Sequence, residues 1–195
     1  MLCCSATQQN GYNLIVKHRR TNALGSAFFF TVVTFDRRKI FTNEQTVALL
    51  RRAIVVVQAR RPFKVEAAVI LPDHFHMIWR LPEGEDDYAT RWRLIKSYFT
   101  HRWPGACDYP TTPSRQSKGE RAVWQRRYWE HLIRDEADWR RHVDYIHYNP
   151  VKHGLARAPG AWQYSSFHTF VKQGHYSSDW GAGEEVDVAI EVGGE

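Results

Sequence analysis

Two histidines, His74 and His76, stand one residue apart in the apolar stretch LPDHFHMIW, residues 71–79. If this stretch is a β-strand, alternate side chains share a face, so both imidazoles point to the same side of the sheet as Ile78. Two imidazoles on one face lie close enough to bind one divalent cation. Two surface histidines on an amphipathic strand would give the same pattern, because short motifs of this kind often occur without a metal.

The segment DYIHYNPVKHGL, residues 144–155, adds a hydroxyl and an amide to this chemistry. Tyr145 and Asn149 are four residues apart, so on a helix they face the same way. A phenol and an amide oxygen near two imidazoles would supply a nucleophile and a third metal ligand. Tyr148 is the competing nucleophile. Alternatively, both tyrosines pack in the core and Asn149 only caps the helix before Pro150.

The hydrophobic pattern predicts the elements that must position these residues. Alternating, β-branched and aromatic residues predict strands, and an apolar period of 3.6 residues predicts helices. The predicted strands are 27–35, 64–71, 74–81 and 123–133; the predicted helices are 42 to about 60, 88–103, 134–148 and 161–174. The order β-α-β-β-α-β-α indicates an α+β fold, an antiparallel sheet with helices packed mainly on one face.

Local signals predict where these elements begin and end. Thr42 and Gln45 have the spacing of a capping box at the start of the first helix. Pro72-Asp73 is the turn of a hairpin formed by the second and third strands. Pro150 is expected to end or kink the third helix, because proline lacks the N–H that a helix interior requires.

The chain is basic and rich in aromatic residues. Its formal net charge is +6, although residues 183–195 contain five acids and no base, and it has eight tryptophans and nine tyrosines. Cations that follow phosphates, together with rings that stack on bases, suit single-stranded nucleic acid. A solvated basic face is the alternative, and the charge by itself does not distinguish the two.

Cysteine usage and hydropathy indicate a cytoplasmic protein. The three cysteines, Cys3, Cys4 and Cys107, have no metal-binding spacing and are odd in number, as expected in a reducing compartment. The N-terminal residues lack the charged start and apolar stretch of a signal peptide. No segment approaches the roughly 20 apolar residues that a membrane helix needs.

Four segments together resemble one family, the REP-associated tyrosine transposases, a branch of the single-tyrosine HUH (His-hydrophobe-His) nucleases. They occur in the family's order and cover roughly residues 18–181: FFFTVVTFDRRKIFT, VILPDHFHMIWRLPEGEDDYATRWRLIKSYFT, KGERAVWQRRYWEHLIRDEADWRRHVDYIHYNPVKHGL and WQYSSFHTFV. The resemblance implies a ferredoxin-like HUH nuclease core over residues 18–181. Residues 1–17 would form an extension and residues 182–195 an acidic tail, neither with a counterpart in the family.

The resemblance also implies the role of each site residue. LPDHFHMIW is similar to the metal-binding motif, with Phe75 as the hydrophobe, so His74 and His76 are expected to bind Mg²⁺ or Mn²⁺ with Asn149 as third ligand. DYIHYNPVKHGL is similar to the tyrosine helix, so Tyr145 is expected to be the nucleophile. The family often has Asn where Asp73 stands, and Asp73 adds one negative charge near the metal. The general base is not identified: His131 and His147 are nearby in sequence, with a core role equally open for each.

The implied substrate is single-stranded DNA with hairpins, as in REP-like repeats, nicked and joined through a 5′-phosphotyrosine. The candidate DNA contacts are Arg91, Arg93 and Lys96 on the second helix and Gln125, Arg126 and Arg127 on the fourth strand. Two other functions are compatible with the sequence: a domesticated, non-catalytic binder of REP hairpins, and a nuclease that activates water. The protein is expected to be a monomer or a homodimer associated with the nucleoid when bound to DNA.

Overall fold

A computed structural model of the chain describes residues 25–107, 111–183 and 186–188. Its elements in chain order are β1 (Ala27–Val33), α1 (Glu44–Gln58), β2 (Lys64–Ile70), β3 (His74–Arg80), α2 (Tyr88–Arg102), α3 (Pro113–Gln116), β4 (Trp129–Leu132), α4 (Glu136–Lys152) and α5 (Phe167–Lys172). The expected extension at 1–17 lies outside the described residues, as do Cys3, Cys4 and most of the acidic tail. Among the described residues, no helix is long and apolar enough to cross a membrane.

The four strands form one antiparallel sheet in the order β2-β3-β1-β4. The predicted hairpin is present, because β2 pairs with β3 directly across the turn at Pro72-Asp73. The central strands β1 and β3 are buried along almost their whole length. The predicted α+β class with an antiparallel sheet is therefore confirmed.

The helices cover both faces of the sheet. On one face, Phe75, Met77 and Trp79 of β3 pack with buried residues of α1 and α2. On the other face, Ile78 packs with residues that include Val143 of α4. The expectation that the helices lie mainly on one face is wrong, because β1 and β3 have apolar side chains on both sides and burial of both stabilises the fold. As a result, the face with the two histidines lies beneath α4.

Helix α4 extends beyond the predicted end. It begins after Asp135, whose side chain accepts a hydrogen bond from the Asp138 N–H, and it passes through Pro150. The helix stays intact because the His153 N–H still donates to the Asn149 carbonyl at 3.0 Å. It ends where Gly154 adopts φ 65°, a left-handed conformation that favours glycine. Pro150 therefore does not terminate the helix.

Three other predicted boundaries differ from the structure. The N-cap of α1 is Asn43 rather than Thr42, since the Asn43 side chain accepts from the Thr46 N–H. The fourth strand is limited to Trp129–Leu132, and Trp124 forms only an isolated bridge with Thr34. The last helix is limited to Phe167–Lys172, because residues before it pair with β2: the Ile70 N–H donates to the Tyr164 carbonyl at 2.8 Å.

A buried histidine joins α4 to this C-terminal segment. His147 is fully buried, with Nε2 2.7 Å from Ser166 Oγ and Nδ1 3.3 Å from Tyr176 Oη. Ser166 Oγ also accepts from the Ala68 N–H of β2 at 2.9 Å. Burial disfavours the charged imidazole and lowers the pKa of His147 from 6.5 to about 3. The neutral ring is therefore part of the packing that holds α4 against the sheet.

This pKa predicts acid sensitivity. Between pH 6.5 and about 3 the unfolded state binds a proton at His147 that the folded state does not, so the free energy of unfolding falls as the pH falls through this range. The stability is fully present above pH 6.5. We expect a smaller loss of melting temperature in His147→Gln than in the parent, measured by circular dichroism from pH 7 to 4. His101→Gln, at an exposed helix end, is the control; equal slopes in parent and His147→Gln would contradict the account.

Candidate active site

The two predicted histidines lie together beneath α4. His74 begins β3 and His76 follows on the same face; their exposed fractions are 2% and 0%. The ring centroids are 5.0 Å apart. Because both rings are buried, the alternative of two solvent-exposed surface histidines does not describe this structure.

A second residue orients each imidazole. Asp73 Oδ1 lies 2.7 Å from His74 Nδ1, and Thr31 Oγ1 lies 3.0 Å from His76 Nδ1. An ionised carboxylate only accepts hydrogen bonds, so Nδ1 of His74 donates to Asp73. Metal-binding histidines commonly donate their other N–H in this way. The Nε2 atom of each ring is thus the one that would bind a ligand.

The Asp73 carboxyl is ionised in this arrangement. Partial burial raises its pKa, but the hydrogen bond and charge of His74, together with Arg37, have the larger combined effect and hold the pKa below its usual value. Arg37 Nη1 lies 3.2 Å from Asp73 Oδ2. The negative charge expected from Asp73 is therefore partly balanced by an arginine that sequence reasoning did not assign.

Helix α4 brings Tyr145 and Asn149 to the histidines. The Tyr145 ring is 1% exposed, and its centroid is 5.2 Å from that of His76. Asn149 is fully buried one turn further along. Three buried atoms make no hydrogen bond with the residues that the structure describes, although each side chain has other contacts: Nε2 of His74, Nε2 of His76 and Oδ1 of Asn149. Two imidazole nitrogens and an amide oxygen are a donor set that fits a divalent cation.

Lys152 contacts the hydroxyl of Tyr145, and sequence reasoning missed it. Its Nζ donates to Tyr145 Oη at 3.1 Å and lies 4.6 Å from the ring centroid. The sequence feature that could have identified Lys152 is its spacing of seven residues from Tyr145, about two helical turns. This spacing places both residues on one face if the helix continues past Pro150. Tyr148 is half-buried and its ring faces Trp180, with centroids 6.3 Å apart.

Of three other histidines, one lies beside His74 and two contact residues elsewhere. His153, which follows Lys152, has its ring centroid 5.0 Å from that of His74, so a third imidazole adjoins the pair. His147 contacts Ser166 and Tyr176. His131 Nε2 lies 2.9 Å from Asp138 Oδ2. The structure therefore gives the candidate bases His131 and His147 partners of their own, while the group at the Tyr145 hydroxyl is a lysine.

Four of the six predicted DNA contacts line one cavity. Arg93 and Lys96 of α2 face Gln125 and Arg126 across a volume of about 450 Å³, although the latter two precede β4 rather than lying in it. Lys96 Nζ donates to the Gln125 carbonyl at 3.2 Å. Burial, with a smaller effect of Arg115, lowers the pKa of Lys96 to about 8. These residues form a basic cavity.

The other two predicted contacts differ from each other. Arg127 is exposed. Arg91 is 1% exposed, and its guanidinium donates to Glu85 and to the carbonyls of Asp87 and Pro62. A buried arginine with these partners holds a loop against α2. Arg91 was predicted to contact DNA, but the structure places it inside the fold, because helical periodicity alone does not distinguish an inward arginine from an outward one.

A group of three metal-ligating side chains lies elsewhere on the same face. His131, Asp138 and His142 have donor atoms that all lie within 4.8 Å of one another. The composition and spacing of this group would allow it to hold a metal ion. No sequence motif marks this group, because β4 and α4 contribute its members separately.

The fold and the site define a class: an antiparallel α+β core in which a His-x-His pair faces a helical tyrosine is that of an HUH nuclease. No family model matches the chain. It is 44% identical over 171 residues to the REP-associated tyrosine transposase of Escherichia coli K12, with 88% of this chain and 93% of the relative covered. A Haemophilus influenzae protein with the same family designation is 42% identical over 175 residues, with 90% and 98% covered.

A solved structure agrees with these relatives. It is a REP-associated tyrosine transposase bound to a REP hairpin, with a TM-score of 0.67, 40% identity, and 90% of this chain and 98% of the other covered. The chain belongs to the REP-associated tyrosine transposase family.

The hydrogen bond from His74 to Asp73 predicts a graded effect on metal binding. Asp73→Ala removes the acceptor that orients the ring, and we expect it to weaken Mn²⁺ binding by roughly 10–100-fold. Asp73→Asn keeps an acceptor oxygen at the same place and should retain most of the affinity. Isothermal titration with Mn²⁺ measures both. Equal affinities of Asp73→Ala and the parent would show that this hydrogen bond does not orient a metal ligand.

Proposed function

We propose that this protein is a metal-dependent single-stranded DNA endonuclease and strand transferase that acts on hairpin-forming repeats through a 5′-phosphotyrosine. The observation that supports this most directly is the contact of three groups: the buried Tyr145 ring lies against His76, and Lys152 donates to its hydroxyl. A tyrosine that only filled the core would not need a cation at its oxygen. The proposal makes Tyr145 the nucleophile, with His74, His76 and Asn149 as metal ligands.

The proposed reaction is an in-line displacement at phosphorus. The phenolate oxygen of Tyr145 forms a bond to phosphorus, and the bond from phosphorus to the 3′ oxygen breaks. The leaving 3′ oxygen takes up a proton and becomes a hydroxyl, while the 5′ end remains linked to the tyrosine. Because the phosphodiester energy is kept in that link, attack by another 3′ hydroxyl reverses the step and joins new ends.

Lys152 has a role in this reaction. A phenol loses its proton only near pH 10 in water, so a nucleophilic tyrosine needs help near neutral pH. An ammonium 3.1 Å from the oxygen favours the charged phenolate over the phenol. It would stabilise the same charge when the tyrosine leaves during strand joining. Bound at His74, His76 and Asn149, Mg²⁺ or Mn²⁺ would neutralise phosphate charge in the transition state.

The DNA partner is proposed from the relative and from the charged surface. The solved relative is bound to a REP hairpin, and we propose a similar hairpin for this chain. Arg93, Lys96, Gln125 and Arg126 around the basic cavity, together with exposed Arg127, are the proposed contacts. Cytoplasmic location, association with the nucleoid and a monomeric or dimeric state remain predictions.

Removing one oxygen distinguishes the two tyrosines. Tyr145→Phe leaves the packing against Phe29 and His76 in place, so we expect the fold to survive and the covalent protein–DNA adduct to disappear. Tyr148→Phe should retain substantial activity, because its ring packs near Trp180. The measurement is a denaturing gel after incubation with hairpin-bearing single-stranded DNA and Mn²⁺.

The same experiment tests the non-catalytic alternative. If the parent binds the hairpin but forms no adduct under any metal condition, the protein is a binder of REP hairpins. If the adduct survives Tyr145→Phe and is lost in Tyr148→Phe, the assigned nucleophile is wrong.

Replacing Lys152 should change the pH dependence of cleavage. Lys152→Met removes the cation but keeps an unbranched side chain, so less phenolate is present near neutral pH. We expect the single-turnover rate at pH 7 to fall by roughly 10-fold or more, and the deficit to narrow as the pH rises. Lys172→Met, at the exposed end of α5, is the matched control. A uniform loss of rate at all pH values would mean that Lys152 acts through packing instead.

A further inference from the structure

The His131, Asp138 and His142 cluster is separate from the proposed catalytic histidines. His131 lies on β4, whereas Asp138 and His142 lie in the first two turns of α4. The Phe29 ring lies between the two groups: its centroid is 5.5 Å from that of His76 and 4.8 Å from that of His142. The cluster and the catalytic pair are therefore neighbours with an aromatic ring between them.

The distances within the cluster fit a coordination shell. His131 Nε2 lies 2.9 Å from Asp138 Oδ2, and His142 Nδ1 lies 3.2 Å from Asp138 Oδ1. In a tetrahedral shell with bonds of roughly 2.0–2.1 Å, neighbouring ligand atoms are about 3.3 Å apart. His142 Nδ1 also donates to the Asp138 backbone carbonyl at 2.8 Å, so a bound cation would replace this hydrogen bond as well as the contact of His131 with Asp138.

The cluster is held in place before any ion binds. The Arg134 N–H donates to Asp138 Oδ2 at 3.0 Å, which fixes the carboxylate. The rings of His131 and His142 are stacked, with centroids 4.6 Å apart and planes 16° apart. Asp138 and His142 are buried, but the His131 side chain is 20% exposed and gives access from solvent. Arg141 Nη2, 3.4 Å from Asp138 Oδ1, belongs to a largely exposed side chain that can withdraw.

We propose that His131, Asp138 and His142 form a second metal site, separate from the proposed catalytic one, for a transition-metal dication such as Zn²⁺. Two imidazoles and one carboxylate suit Zn²⁺, Co²⁺ or Ni²⁺, whereas Mg²⁺ prefers oxygen ligands. The ion links the edge strand β4 to the helix that contains Tyr145 and Asn149. It adds a cross-link to a helix that is already folded, because the hydrogen bonds hold the cluster without it.

The test uses the full chain with the proposed catalytic pair disabled. His76→Ala is titrated with Co²⁺ and followed by visible absorption, and Zn²⁺ binding is measured by equilibrium dialysis. We expect one equivalent bound by His76→Ala. Adding His131→Gln should weaken this binding by more than about 100-fold, beyond the 10–100-fold typical of an outer-shell change. Glutamine can still donate a hydrogen bond to Asp138, so the fold should persist, as circular dichroism will verify.

Control variants distinguish metal binding at the cluster from metal binding elsewhere on the protein. His101→Ala, an exposed histidine on α2, should leave Co²⁺ and Zn²⁺ binding unchanged in the His76→Ala background. Zn²⁺ should also raise the melting temperature of His76→Ala but not that of the double variant. Absence of stoichiometric binding to His76→Ala would overturn the proposal, as would undiminished binding to His76→Ala/His131→Gln. In either case the cluster is a hydrogen-bonded link between β4 and α4 only.

Discussion

The packing of α4 across the second face of the sheet is the constraint on which the site depends. The strand β3 is buried on both sides, with Phe75, Met77 and Trp79 facing α1 and α2 and the histidines facing α4. Without α4, His74 and His76 would be solvated side chains on an open sheet. With α4 in place they lie in a confined volume together with Tyr145 and Asn149. The same helix supplies a phenol, an amide and a cation.

The continuity of α4 through Pro150 determines which groups meet. Tyr145, Asn149 and Lys152 lie at intervals of four and seven residues, which is one face of an unbroken helix. If the helix ended at Pro150, Lys152 would have no fixed place near the phenol. His153 at the end of the helix also adjoins His74. The exit turn at Gly154 therefore follows directly after the residues that complete the site.

Much of this arrangement could be predicted from short-range patterns. Period-two alternation in β3 assigned Phe75 and His76 to opposite faces, and four-residue spacing placed Tyr145 with Asn149. Other features depend on contacts between segments distant in sequence. The covering of the histidine face by α4, the burial of Arg91 against the Pro62 carbonyl and the link of Thr31 to His76 each require the tertiary fold. Pro150 was expected to end or kink α4, as proline generally does inside a helix. The helix continues, because the His153 N–H still donates to the Asn149 carbonyl after the ring.

The most direct test of the central claim is to locate the covalent bond. The protein is incubated with hairpin-bearing single-stranded DNA and Mn²⁺, digested with nuclease and trypsin, and analysed by tandem mass spectrometry. We expect a nucleotide attached through phosphate to Tyr145 in the peptide HVDYIHYNPVK, residues 142–152. Fragment ions separate Tyr145 from Tyr148 within that peptide. A nucleotide on Tyr148 or on another residue, or cleavage with no attached nucleotide, would contradict it.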